Sequence, residues 1–372
     1  MEDWYGIIEK RVRKFYEAPE SVRDFVQHLK TKWGRHKYIC IWGIGNLGRP
    51  TAVALREHNL KVDFYCDNDR QKWGKEYNNI RCISIEELEK IKEETLIIIC
   101  ARAYKEIYRQ LSELGYPHLD RVFMNKFAIR EYLEELGRDT LLNKVKKVLE
   151  ICEDEQSKMI FCQIISEWFN NESGDLSDIC TNDQYFCEDI LQLDDNEVFA
   201  DCGAYNGDTL RAFFKVKGYK FNKIILFELS RNNFEALEKY TEQLNEDAKR
   251  RIEVYNKGVS DRIAEIWYEE LDEGCSEENV GKVKGFLTTI DETCRDKKVS
   301  YIKMDIEGSE LAALRGARQC ILENKPKLAV CLYHKPQDMW EIPLMIKEML
   351  PEYKIYIRHH TDLLNETVCY AV

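Results

Sequence analysis

The chain has no apolar run approaching the ~18 residues that span a bilayer; the longest notable one is Leu96 to Cys100. Its start, Met1-Glu-Asp-Trp, lacks a basic segment followed by an apolar one, so neither secretion nor membrane spanning is expected, and the cytoplasm is the expected compartment. Basic residues are in deficit, 55 Lys plus Arg against 67 Asp plus Glu for a net charge of −12, which disfavours non-specific binding to nucleic acid or anionic lipid. No GK[ST] loop exists, which argues against a phosphate-transferring NTPase. Only 7 Pro and 18 Gly among 372 residues rule out collagen-like and low-complexity chains. No CxxC occurs either. The 14 cysteines stand singly, and several, such as Cys40, Cys66, Cys100 and Cys331, lie inside apolar strand-like runs, so reduced buried thiols are expected in place of disulfides or a zinc framework.

What is present reads as an α/β protein built from two Rossmann-like units joined by a helical connector. The length suggests more than one domain. Residues 1–36 have helical spacing, as at Ile7, Ile8, Val12, Phe15 and Tyr16. Residues 37–126 form a small unit of about four strands, at Tyr38–Trp42, Val62–Cys66, Thr95–Cys100 and Val122-Phe123. Residues 127–192 are charge-rich and helix-periodic, with a break near Ser173-Gly-Asp. Residues 193–372 carry five parallel-type strands, Glu197–Asp201, Lys223–Glu228, Arg251–Tyr255, Tyr301–Asp305 and Lys327–Tyr333. Two more, Tyr353–Arg358 and Thr367–Val372, are joined by about eight polar residues. That is too short for a crossover helix, so they are predicted to pair antiparallel at the sheet edge.

In the second unit the first strand runs into Asp201-Cys-Gly203-Ala204-Tyr205-Asn-Gly207-Asp208 and a helix. Glycines there let backbone approach a ligand, and the helix amino end favours a carboxylate. Glu228 closes the next strand 27 residues after Asp201, where an acid can accept both hydroxyls of a ribose. The plainer reading is a tight turn with Glu228 capping the helix after Ser230. The fourth and fifth strands end in Lys303-Met-Asp305-Ile-Glu307-Gly308-Ser-Glu310-Leu and Tyr333-His334-Lys335.

These strings, with Phe227-Glu228, Leu314-Arg-Gly316-Ala and Trp340-Glu-Ile-Pro343, resemble the FkbM family of S-adenosylmethionine-dependent methyltransferases over about residues 184–372. The resemblance implies a class I methyltransferase fold with a terminal antiparallel hairpin. It also implies S-adenosylmethionine as cofactor, held by Asp201, Gly203, Ala204, Tyr205, Gly207, Asp208 and Glu228. The implied activity is O-methylation of a sugar, glycan or polyketide-type hydroxyl. Such a hydroxyl needs a base, and Asp305, Glu307 and His334 are the catalytic candidates, with His334 having the most convenient ordinary pKa. Against this, Asp305 and Glu307 also read as cap and salt-bridge partners of the helix near Ser309. No further spaced ligands accompany Asp305, Glu307 and His334, so a metal is not expected.

In the first unit Gly43-x-Gly45-Asn46-x-Gly48 follows a strand, opens a helix, and is followed 19 residues after Gly48 by Asp67 at a strand tip. So small a unit lacks the half that holds a nicotinamide. It resembles the small Rossmann-like domain at the front of bacterial sugar-modifying proteins, which implies a nucleotide or nucleotide-sugar ligand; a domain used only for packing or oligomerisation is the alternative. An NAD-dependent sugar dehydrogenase or epimerase is a competing class, but the one Tyr-x-x-x-Lys pair, Tyr219 and Lys223, lies in the wrong unit. A non-catalytic glycan-binding scaffold is the third class.

Overall fold

A computed structural model describes residues 3–17, 21–45, 47–101, 103–121, 125–171, 174–271, 274–275 and 281–372. They divide into two compact units. One comprises Gly6–Leu141 and Ile165–Gly174, and the other the residues up to Tyr5, Leu142–Ile164 and Asp175–Val372. The charge-rich stretch 127–192 is therefore shared between them. Its helices are Asn125–Leu136, Arg138–Ile151 and Glu155–Trp168.

The first unit holds strands β1 (Tyr38–Trp42), β2 (Phe64–Cys66), β3 (Glu76–Tyr77), β4 (Ile80–Cys82), β5 (Thr95–Ile99) and β6 (Leu119–Asp120), in sheet order β3-β4-β2-β1-β5-β6. Among the described residues this makes six strands where the sequence reading has about four. The additions β3 and β4 are two and three residues long, too short to show a period, and β6 precedes the expected Val122-Phe123, which lies outside the described residues. The central β1 and β5 are apolar because both faces are covered: Ile39, Ile41 and Ile98 meet Trp33, Phe25 and Phe127, while Cys40, Trp42 and Ile97 meet Leu88 and Leu111.

The second unit carries β7 (Val198–Cys202), β8 (Lys223–Phe227), β9 (Ile252–Tyr255), β10 (Gly258–Val259), β11 (Ala264–Tyr268), β12 (Glu270–Leu271), β13 (Gly274–Cys275), β14 (Val283–Thr288), β15 (Tyr301–Met304), β16 (Lys327–Cys331), β17 (Ile355–His359) and β18 (Thr367–Ala371). Its main sheet has the order β17-β18-β16-β15-β7-β8-β9, parallel except for β18, which runs antiparallel to both neighbours. This is the class I methyltransferase plan with its end hairpin. Strands β10, β14 and β11 form a separate small sheet that the sequence reading did not identify, packed through Ile266, Tyr268 and Leu287 on Leu229.

Among the described residues thirteen cysteines are free thiols, and twelve of them are buried. Burial pushes Cys66, Cys100, Cys152, Cys162, Cys187 and Cys294 each up to about 12, so they behave as small core hydrophobes. Among the described residues no helix is long and apolar enough to cross a membrane.

Candidate functional site

Parallel order brings the carboxyl ends of β7, β8, β15 and β16 to one edge, where open α/β sheets bind ligands. The turn after β7 is tight: Gly203 and Ala204 both donate to Phe227 O, at 3.0 and 2.9 Å, and Gly207 donates back to Ala204 O at 2.9 Å. Gly203 has φ +83°, and a Cβ there would lie 1.8 Å from Asp305 O, so only glycine lets the ends of β7 and β15 meet. Tyr205 also has positive φ, +47°. The helix Asp208–Lys217 begins with no side-chain cap at Gly207; the Asp208 carboxylate accepts from Thr209 N at 2.8 Å, and the other first-turn N–H groups suit an anion.

Two buried acids face this turn. Glu228 accepts the N–H of Tyr205 through Oε2 and that of Ser230 through Oε1, both at 2.8 Å. The following helix has its own cap, because Ser230 Oγ accepts from Asn233 N at 3.3 Å. Burial outweighs those backbone donors and pushes the Glu228 carboxyl up to about 7. Asp201, fully buried, pairs with Lys303 Nζ at 3.0 Å, yet burial still lifts it to about 6; its Oδ2 has no hydrogen-bond partner. Lys303 also donates to Gly203 O at 2.7 Å. Burial works against its charge, but Asp201 and Asp305 outweigh burial and raise it. A methionine-bearing nucleoside fits these groups: the helix end suits its carboxylate, Asp201 Oδ2 a cationic amine, and Glu228 the ribose hydroxyls.

The second cluster sits at the ends of β15 and β16. His334 places Nδ1 2.9 Å from Glu310 Oε1 and Nε2 3.3 Å from Asp305 Oδ1 and 3.7 Å from Glu307 Oε2. Burial pulls the imidazole pKa down, but Glu310 and Asp305 outweigh it and raise it well above its ordinary value, which favours the protonated ring. Asp305 accepts from Tyr185 and Tyr333 hydroxyls, each at 2.9 Å. Burial opposes its ionisation, yet His334, Lys303 and Tyr185 hold it well below the usual carboxylate range. Glu307 is 63% exposed, with φ +55°. The helix Glu310–Arg315 is not capped by Asp305 or Glu307: Ser309 makes no cap, and the Glu310 carboxylate reaches back to Ile306 N at 2.8 Å.

Asp305, Glu310 and His334 have the spacing of a metal group, as do Asp183, Cys187 and His360. In the first of these the two imidazole nitrogens face different acids, Nδ1 towards Glu310 and Nε2 towards Asp305.

The structure brings together Asp201 to Asp208 and Glu228, the residues expected to hold the donor, and separately Asp305, Glu307 and His334. Sequence reasoning gave no site role to Lys303, Glu310, Tyr333 or Tyr185. A lysine inside the apolar run Tyr301-Ile-Lys-Met was a legible sign of a buried ion pair. Tyr185 lies 120 residues from Asp305, and nothing local announces it.

In the first unit Gly43, Gly45, Gly48 and Asp67 do converge, while Asn46 lies outside the described residues. Crowding requires Gly43 and Gly48, since a Cβ at Gly48 would stand 1.8 Å from Gly43 O, whereas nothing lies within 4 Å of one at Gly45. Asp67 is engaged internally, accepting from Ile44 N at 2.8 Å, Asp69 N at 2.9 Å and Lys72 Nζ at 2.9 Å. Tyr219 is 47% exposed, and Lys223 opens β8 paired with Glu253 at 2.6 Å, so the two do not form a dehydrogenase pair.

Residues 35–122 match the family described as C2185-like, N-terminal, and residues 201–362 the methyltransferase FkbM domain. No curated protein matches the chain. The crystal structure of methyltransferase FkbM from Methylobacillus flagellatus KT is similar over 100% of this chain and 99% of its own, at 21% identity and a TM-score of 0.74, which shows a shared fold. Fibrillarin from Aeropyrum pernix, in complex with natively bound S-adenosyl-L-methionine, aligns over 49% of this chain and 70% of its own at 15% identity and a TM-score of 0.31. UDP-D-quinovosamine 4-dehydrogenase from Vibrio fischeri aligns over 26% and 87%, at 16% and 0.22. At those scores neither of the last two bears on the argument.

Proposed function

Because residues 201–362 carry an FkbM methyltransferase domain, and with it S-adenosylmethionine-dependent methyl transfer, we propose that this protein methylates a hydroxyl oxygen of a sugar, a glycan or a related natural product. The supporting observation is the group Asp305, Glu307, Glu310 and His334 at the strand ends beside the donor turn. Carboxylates there accept hydrogen bonds from an acceptor's hydroxyls, while both ring nitrogens of His334 face acids and orient them.

In this reading Asp201, Glu228 and the amino end of helix Asp208–Lys217 hold the donor, which supplies a methyl group on a positively charged sulfur. The chain's task is to orient an oxygen in line with that methyl and take its proton. His334 already carries its proton and Asp305 is a weak base, so neither suits proton removal in this state. Glu307, whose carboxylate is exposed at the end of β15, is the base, and passes the proton to water.

A donor-turnover assay against nucleotide-sugars and glycan extracts, read as S-adenosylhomocysteine released, tests the reading. A pH–rate profile separates the bases: with Glu307 the rate rises on an acid limb near the carboxylate range, whereas a His334 base would give a limb well above the ordinary histidine value. Methylation found only on nitrogen or carbon would refute it.

For the first unit we assign a nucleotide-type ligand at the turn Gly43 to Gly48. This rests on Gly45, where neither crowding nor backbone angle calls for glycine but a phosphate's close approach would. Calorimetry with a UDP-sugar on Gly45→Val and the wild type tests it; equal binding, or none to either, removes the assignment.

A further inference from the structure

Tyr185 lies ahead of β7, outside residues 201–362, and carries the unusual backbone angle φ +67°. A non-glycine residue there costs about 1–3 kcal/mol and persists only where surroundings over-determine it. They do so here. Its N–H donates to Tyr370 Oη at 2.9 Å, and its carbonyl accepts the hydroxyl of Tyr301. These bonds aim the Tyr185 phenol at Asp305 Oδ2, with Lys303 Nζ 5.1 Å from the ring centroid. Tyr333, from the segment after β16, supplies the matching donor to Oδ1.

Asp305 is thus held from both sides by hydroxyl donors, leaving His334 to approach Oδ1 from the acceptor side at 3.3 Å. The charged neighbours are Lys303 on β15, Asp201 on β7, His334 after β16, and Glu307 and Glu310 after β15, with Glu366 of the β17–β18 hairpin and the thiol of Cys331 behind. Burial keeps the phenols of Tyr185 and Tyr333 protonated, so both remain donors.

We propose that Tyr185 and Tyr333 are positioning residues for methyl transfer, clamping the two oxygens of Asp305 so that this carboxylate holds the His334 ring in place at the acceptor site. The inference rests on the reading that the acceptor binds at the ends of β15 and β16. The two tyrosines act through Asp305 and touch no reacting atom. Without one hydroxyl, an Asp305 oxygen loses its donor, the carboxyl becomes easier to protonate and the carboxylate can turn away from His334.

The test uses the full chain with Tyr185→Phe and Tyr333→Phe. Asp305 titration is followed by carbon NMR of labelled aspartate carboxyls, donor affinity by calorimetry, and turnover with the nucleotide-sugar and glycan panel. Expected in each variant are an Asp305 titration raised by about one to two pH units, turnover lowered ~10-fold or more, and donor affinity within about twofold of wild type because Glu228 and the β7 turn are untouched. An Asp305 titration unmoved in both variants, or turnover unchanged in both, overturns the proposal; a merely structural tyrosine lowers the melting temperature and leaves the turnover of the folded fraction alone. His334→Asn separates the two levels. If it turns over like wild type, the acceptor reading itself is wrong, whereas its loss of turnover beside fully active phenylalanine variants refutes only the clamp.

Discussion

Donor binding should depend on pH through one buried carboxyl. Glu228 is lifted to about 7 by burial, against the pull of the Tyr205 and Ser230 N–H groups. A ribose hydroxyl donates to the ionised carboxylate, so binding favours the charged form and strengthens as pH rises through that value. If only the ionised form binds well, the competent fraction climbs from ~1 in 11 at pH 6 to ~10 in 11 at pH 8. That is about a tenfold gain in affinity, or ~1.4 kcal/mol. Asp201, lifted to about 6, adds at most a further factor of ~2 at the acid end. Glu228→Gln keeps an oxygen for one of the two backbone donors, turns its amide NH2 towards the other and removes the titration, so its affinity should be lower at pH 8 and nearly flat with pH. The comparison cancels the titration of the donor's own amino group, which both proteins share. Calorimetry in two buffers of different ionisation enthalpy would also find proton release on binding below pH 7 in the wild type and less in the variant. A wild-type affinity that is level between pH 6 and 8, or a slope that survives in Glu228→Gln, refutes the assignment of the ribose to this acid.

The Gly203→Ala change places a methyl 1.8 Å from Asp305 O at φ +83°, and should cost at least ~1–3 kcal/mol of stability together with donor affinity, read by melting and calorimetry; wild-type values in both would contradict the close approach of β7 and β15. Asp338 is lifted to about 7 by burial and by Glu310. A raised folded-state pKa favours folding below the ordinary carboxyl value and loses that contribution as pH climbs towards 7. Asp338→Asn, which can still accept from Lys335 N, should therefore gain on the order of 1–3 kcal/mol over wild type at pH 8 and little at pH 4, by denaturant unfolding, and a pH-independent difference would be the contrary result. A fragment ending at residue 126 omits Phe127, Arg130 and Leu133, all buried, so it should melt well below residues 1–174, which also retain Glu167 as the partner of Lys126 at 2.7 Å; equal melting curves would count against this division of the chain.

The sequence alone determined the two α/β units, the main strands of the second sheet, the antiparallel end pair and the glycine turn Asp201 to Asp208 with the acid Glu228 closing the next strand, because each is written in contiguous residues. Apolar runs of four to six residues mark strands buried on both faces, and Gly203 and Gly207 with Glu228 mark strand ends. Even the family resemblance rests on such local strings. Strands β3 and β4 and the small sheet of β10, β14 and β11 were not legible, since two or three residues carry no period and the partly exposed β11 and β14 read like loop. The state of the second cluster was also beyond reach. A histidine in Tyr333-His334-Lys335 reads as a base at its ordinary pKa. Only folding puts Glu310 and Asp305 on its two nitrogens, and Tyr185, from 120 residues away, on the far side of Asp305. Charge and pKa follow from distances and burial among groups remote in sequence, so tertiary structure alone decided that two acids face the His334 ring and raise its pKa, while the Glu307 side chain stays exposed.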